Sequence, residues 1–209
     1  MKFRLISRVL GIGLIAFSFL QLTPIIVSVI YNEANISAFA YSFAITLAFG
    51  AFLYLVNFEK KYEGIRVKEG FLLTVMLWLF FTIFATLPFI LGTKGSISIV
   101  SAYFEATSGL TTTGATIFSD LSGEYLSILF YRGLLQWIGG LGIIVLAIAL
   151  MPLLGIGGMQ LYRGETQGPI NQSKLRPKIA ETAKVLVYIY LVLTFLFFLS
   201  YFIAGMDYF

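Results

Sequence analysis

The 209-residue sequence contains no cysteine and no histidine. Without cysteine there can be no disulfide, no thiolate metal site and no cysteine nucleophile. Without histidine the usual general base and the commonest zinc ligand are missing. Charge is scarce as well. Asp, Glu, Lys and Arg make up 11% of the chain, against roughly a quarter in an ordinary soluble domain. So few charges cannot cover a water-soluble globule. With no paired intramembrane carboxylates to replace the missing groups, acid–base and nucleophilic chemistry have no carriers. An enzyme is not expected.

What the sequence does have is apolar surface: 59% of its residues are hydrophobic and 17% aromatic. A crossing helix needs about 20 apolar residues at 1.5 Å rise each. Five runs reach that length: Val9–Tyr31, Ile36–Val56, Gly70–Gly92, Tyr125–Leu154 and Ala183–Gly205. Lys2, Arg4 and Arg8 precede the first run like the basic region of a signal peptide. That run, however, exceeds the roughly 7–15 residues of a signal's apolar core, so it is expected to be a retained helix. The fourth run is too long for a simple span. It holds Gly139, Gly140, Gly142 and Pro152, and is expected to bend or continue as an interfacial piece through Met151–Leu161.

The net charge is +4. The basic residues sit between apolar runs, where they orient a chain in a bilayer, so no nucleic-acid partner is expected. The N-terminus, the Asn57–Glu69 loop (Lys60, Lys61, Arg66, Lys68) and the Gln160–Glu181 loop (Arg163, Lys174, Arg176, Lys178) are expected to be cytoplasmic. The Asn32–Asn35 turn and the acidic stretch Asp120–Glu124 are expected outside. Counting crossings then leaves Thr93–Gly123 beginning and ending on the outer side. It contains an apolar stretch, Ile97–Ala106, too short to span. Such a segment is a re-entrant loop.

Ser96 or Ser98 can cap a short helix from about Ile99 to Ser108, with Gly109 placed to end it. Leu110-Thr111-Thr112-Thr113-Gly114-Ala115-Thr116 follows. Consecutive threonines favour extended backbone. Non-helical backbone at membrane depth is tolerated only when buried in protein or lining water. The backbone carbonyls of Thr112, Thr113, Gly114 and Ala115 are therefore the candidate cation ligands, with Thr111 supporting them. Glu105 and Arg132 fall at similar depth. An intramembrane carboxylate needs a partner, so they are expected to pair and brace the loop rather than attract cations directly. Gln136-Trp137-Ile138-Gly139-Gly140-Leu141-Gly142 reads as close helix packing. Gly155-Ile156-Gly157-Gly158 lacks the spacing and the Lys-Ser/Thr ending of a phosphate loop.

The strings Phe104–Ala115 and Gln136–Gly142 together closely resemble the bacterial TrkH/KtrB potassium-uptake family over nearly the whole chain. The resemblance implies an all-α membrane fold of five transmembrane helices plus one re-entrant pore helix and filter loop, the potassium channel-like repeat. It divides the chain into an N-terminal helix pair (1–57), a first pore repeat (58–162), and a linker with the outer helix of a second repeat (163–209). It implies potassium as cargo at Thr112, Thr113 and Gly114, no cofactor, and a multi-pass protein of the bacterial inner membrane. Partners would be the bilayer, the remaining pore repeats or other copies of the chain, and a cytosolic TrkA-like nucleotide-binding regulator. Family members carry four repeats in one chain. One repeat alone is thus expected to be an incomplete site. A self-assembling homotetrameric channel and a non-transporting membrane scaffold are the alternatives.

Overall fold

The structure, a computed structural model, describes residues 3–56, 67–150 and 175–206. The described residues form eight helices: α1 (Phe3–Leu20), α2 (Thr23–Ile30), α3 (Ile36–Val56), α4 (Val67–Ala85), α5 (Leu87–Gly92), α6 (Ile99–Leu110), α7 (Leu126–Leu150) and α8 (Leu175–Ile203). Five stretches are long and apolar enough to cross a membrane: Phe3–Ile30, Ile36–Val56, Glu69–Gly92, Leu126–Ile144 and Glu181–Ile203. The regular structure of the described residues is all helical, as suits a multi-pass membrane protein. The expected interfacial piece Met151–Leu161 and the glycines at 155–158 lie outside the described residues, as does most of both basic loops.

Two of these spans are broken by proline, and both breaks are repaired by side chains. Proline has no N–H for the carbonyl four residues earlier, and lipid offers no substitute donor. Pro24 opens α2, and the Thr23 hydroxyl donates to the freed Leu20 carbonyl at 2.8 Å. Pro88 opens α5, and the fully buried Gln21 donates its Nε2–H to the freed Phe84 carbonyl at 3.0 Å. Thr46 in turn donates to the side-chain Oε1 of Gln21 at 3.1 Å, and the Tyr131 hydroxyl donates to the neighbouring Ala85 carbonyl at 3.2 Å. The α4–α5 kink is thereby tied to α1, α3 and α7. Gln21→Leu leaves the Phe84 carbonyl without its donor and should cost about 1–3 kcal/mol. The check is the thermal midpoint of the detergent-solubilised protein; an unchanged midpoint would show that the carbonyl had found another donor.

The N-terminal pair packs through glycine. A Cβ at Gly11 would lie 2.7 Å from the Gly50 carbonyl oxygen, and one at Gly50 would lie 3.0 Å from that of Gly11. Only glycine lets α1 and α3 cross so closely. Around that crossing the core is aliphatic and aromatic: Leu10, Leu14, Phe17, Phe39, Phe84, Phe89, Tyr131 and Leu135 are all buried. Tyr131 packs its ring against Phe39 and Phe89, with centroids 5.8 and 5.3 Å away.

The turn between α2 and α3 clamps the start of α7. Glu33 accepts the N–H of Leu126 at 2.6 Å and that of Ser127 at 3.1 Å, filling two of the donors a helix start leaves open. Asn35 donates to the Ser127 hydroxyl and the Gly92 carbonyl, and accepts from Ser28. These bonds join α2, α3, α5 and α7 at one end of the bundle, next to where α6 begins.

The chain divides into two compact units between Gly139 and Gly140, inside α7. In the second, α8 exposes long apolar and aromatic side chains along its length, including Tyr188, Phe195, Phe197 and Phe202. For a membrane helix such a surface suits lipid or neighbouring helices.

Candidate ion-coordinating loop

The site is built from α6 upward. Ser98 caps the helix, its hydroxyl oxygen accepting the Ser101 N–H at 3.0 Å. Twelve residues span about 18 Å, well short of the roughly 30 Å of a bilayer core. The helix runs two residues past Ser108 and does not stop at Gly109. The reason lies in packing. A Cβ at Gly109 would touch Leu135 at 3.0 Å, so this glycine admits α7 and does not turn the chain. Behind it, a Cβ at Gly139 would fall onto the Leu110 carbonyl, its carbon 2.7 Å away. Gly139, from the sequence's second glycine-rich string, is the floor on which the end of α6 rests.

The turn comes at Thr111–Thr112. Thr111 closes the helix at φ −82°, and Thr112 takes a left-handed φ of +57°. The Thr112 N–H bonds to the Gly109 carbonyl at 3.0 Å and the Thr113 N–H to the Ser108 carbonyl at 3.0 Å. This is the double bond pattern of a Schellman cap. The ends of α2 and α8 carry the same pattern, with Asn32 (φ +52°) and Gly205 (φ +75°) at the left-handed position. Those residue types accept that conformation; a β-branched threonine resists it. Strained backbone of this kind marks places where function dictates geometry.

Gly114 also has positive φ, +76°, and Thr113 between the two does not. Alternating handedness turns successive peptide planes so that N–H groups face one way and carbonyls the other. The bonding follows suit. The N–H groups of Thr111, Thr112, Thr113 and Gly114 all turn back onto the carbonyls of Thr107, Gly109 and Ser108. The carbonyls of Thr112, Thr113 and Gly114 accept no hydrogen bond from any described residue, and these three residues are exposed. The Thr111 and Thr113 hydroxyls pair at 2.8 Å. Ala115 differs from its neighbours. Its carbonyl accepts the Ser108 hydroxyl at 2.6 Å. Of the four candidate carbonyls, that of Ala115 is thus the one with a hydrogen-bond donor, from a side chain of α6.

The return limb is held from below. Glu105 is buried on α6. Its Oε1 accepts the Thr116 hydroxyl at 2.6 Å and the Ile117 N–H at 2.5 Å, and its Oε2 accepts the Arg132 Nε–H at 2.7 Å. Both carboxylate oxygens are therefore occupied, and one carboxylate joins α6, the return limb and α7. Farther along, the Ser122 hydroxyl and N–H bond to the exposed Asp120 and hold its carboxyl below its ordinary range. Glu124 accepts the N–H groups of Lys94 and Tyr125, both at 2.9 Å, which closes the loop's two ends together. Among the described residues no cluster of three or more acidic side chains forms a metal-ligand set. The donors this loop offers are backbone oxygens. Sequence reasoning missed Ser108, the Glu33 clamp and the left-handed Thr112, none of which carries a composition signal.

Five apolar spans and a short helix with a chain that doubles back on it define a polytopic membrane protein. The sequence matches the TrkH family, described as cation transport protein, over residues 35–207, and the chain belongs to that family. It is 46% identical over 207 residues to the Trk system potassium uptake protein TrkH of Escherichia coli K12, covering 99% of this chain and 43% of that protein. It is 44% identical over 209 residues to the TrkH protein of Halomonas elongata, again covering 43% of it. The crystal structure of the potassium transporter TrkH from Vibrio parahaemolyticus superposes with a TM-score of 0.84 at 41% identity, covering 99% of this chain and 41% of that one. The chain thus spans less than half the length of the relatives it matches. Those relatives are by name potassium uptake proteins, not enzymes.

Proposed function

We propose that this chain supplies one cation-coordinating strand, together with the helices that hold it, to a potassium-uptake transporter. The observation that carries the reading is the one-sided backbone at Thr112–Gly114: N–H groups bound to α6, carbonyls without donors. In a membrane such carbonyls need a partner, and a dehydrated cation is one. The C-terminal end of α6, with its partial negative charge, favours a cation at the same place. Potassium is the cargo and no cofactor takes part. Thr93–Gly123 enters and leaves the bilayer on the outer side, the N-terminus is cytoplasmic, and the membrane is the bacterial inner membrane.

One strand cannot surround an ion, because the shell draws on several strands at once. The other strands come from further pore repeats, and a cytosolic TrkA-like ring is the regulatory partner of this reading. The test is potassium uptake in a transport-deficient bacterial strain. This chain would be compared with a version completed by the remaining part of the Escherichia coli relative. The completed version should take up potassium in preference to sodium. A completed version that reaches the membrane and shows no cation preference would refute the proposal.

A further inference from the structure

Resting on that reading, we infer that Ser108 is the positioning residue that fixes where the row of coordinating carbonyls stops. Ser108 lies in the last turn of α6 and is buried, 5% exposed. Its carbonyl accepts the N–H of Thr113 at 3.0 Å and that of Gly114 at 3.4 Å. Its hydroxyl donates to the Ala115 carbonyl at 2.6 Å. One residue therefore holds three consecutive residues of the strand, and it holds them with opposite polarity. It takes the N–H groups of Thr113 and Gly114, so the carbonyls in the same peptide planes, those of Thr112 and Thr113, face away from α6. At Ala115 it takes the carbonyl, which turns that oxygen toward α6.

The row thus ends after Gly114 because a hydroxyl claims the next oxygen. Bonds of this length are strong for neutral groups. A carbonyl committed to one is a poorer cation ligand than its free neighbours. Beyond Ala115 the chain is held differently, through Thr116 and Ile117 on Glu105. The hydroxyl of Ser108 is the device that separates coordinating backbone from anchoring backbone.

The experiment uses the completed transporter and measures potassium uptake with sodium as competitor. Ser108→Ala removes the donor and releases the Ala115 oxygen, so the strand gains an extra carbonyl or loses its register. Preference for potassium over sodium should fall by roughly five- to tenfold, the scale of one hydrogen bond, with the amount of protein in the membrane unchanged. Ser108→Thr keeps the hydroxyl and should restore the preference. If Ser108→Ala instead reduces uptake only in proportion to membrane protein, with preference intact, the residue is merely structural and the inference falls. It falls too if Ser108→Thr is as damaging as Ser108→Ala. Where Ser108→Ala does not reach the membrane, Ser108→Cys carries the test, being similar in size with a weak donor: a lowered preference supports the role and an unaltered one removes it. Absence of cation preference in the unsubstituted completed protein would refute the carbonyl-row reading itself, and this role with it.

Discussion

Gly139→Ala should dislodge the end of α6 and abolish uptake by the completed transporter. A methyl group there would occupy the place of the Leu110 carbonyl, with the carbonyl carbon 2.7 Å and the Leu110 Cα 3.1 Å away. These are backbone atoms, and no rotamer change moves them. Leu110 is itself buried and ends α6, so relief requires moving the helix that carries Ser108 and Glu105. The expected net cost is about 2 kcal/mol: overpacking at the upper end of its range, about 3 kcal/mol, less the helix-propensity gain of about 1 kcal/mol for replacing glycine by alanine. Gly133→Ala is the control. It lies in the same helix with nothing within 4 Å of the added methyl, and should leave stability equal or slightly raised. Thermal midpoints of both variants in detergent give the comparison. A Gly139→Ala protein with an unaltered midpoint and full uptake would show that α6 and α7 do not meet here as described.

Glu105→Gln should damage loop order and folded yield more than ion preference. Glu105 is buried, and its side chain is bonded to Arg132, Thr116 and Ile117. The glutamine amide can keep one acceptor for the return limb, but then it points N–H groups at Arg132, whose side chain is only 12% exposed. A buried guanidinium without its carboxylate costs about 3–5 kcal/mol. Combining Glu105→Gln with Arg132→Met removes the stranded charge. The double variant should therefore be less destabilised than the sum of the single ones, with a coupling of about 1–3 kcal/mol. A well-expressed Glu105→Gln protein of unchanged stability but altered selectivity would instead make the carboxylate a direct cation attractor.

Charge placement and length made much of this arrangement legible. Apolar runs predict five spans; three fall within two residues of their expected places, while the first begins earlier, at Phe3, and the fourth ends earlier, at Ile144. Length likewise marks a helix within Thr93–Gly123 as too short to cross, and α6 has twelve residues there, with the chain after it bonded back onto it. Ser98 is legible as a cap because a serine before an apolar helix has a local job. Glu105 and Arg132 are legible as a pair because a charge set in an apolar segment needs a partner, and the two form an ion pair at 2.7 Å.

Long-range polar bonds were not legible. Gln21 serves a carbonyl 63 residues away, and Glu33 caps a helix start 93 residues away. Nothing local marks either side chain for that task. The left-handed turn was hidden for a different reason. Sequence rules assign positive φ to glycine, so Gly109 was the natural stop, yet Thr112 takes that role while Gly109 is used for close packing. Tertiary contact with Leu135 decides between them. The commitment of the Ala115 carbonyl was hidden likewise, since a serine seven residues earlier reaches it only after the chain reverses.

The most direct measurement of the central claim is the position of a heavy potassium analogue. Rubidium or thallium would be soaked into the completed transporter and located by anomalous diffraction. Density beside the carbonyls of Thr112, Thr113 and Gly114, and none beside that of Ala115, is the predicted result. Bound ions away from this strand, with these carbonyls uncoordinated, would contradict the account.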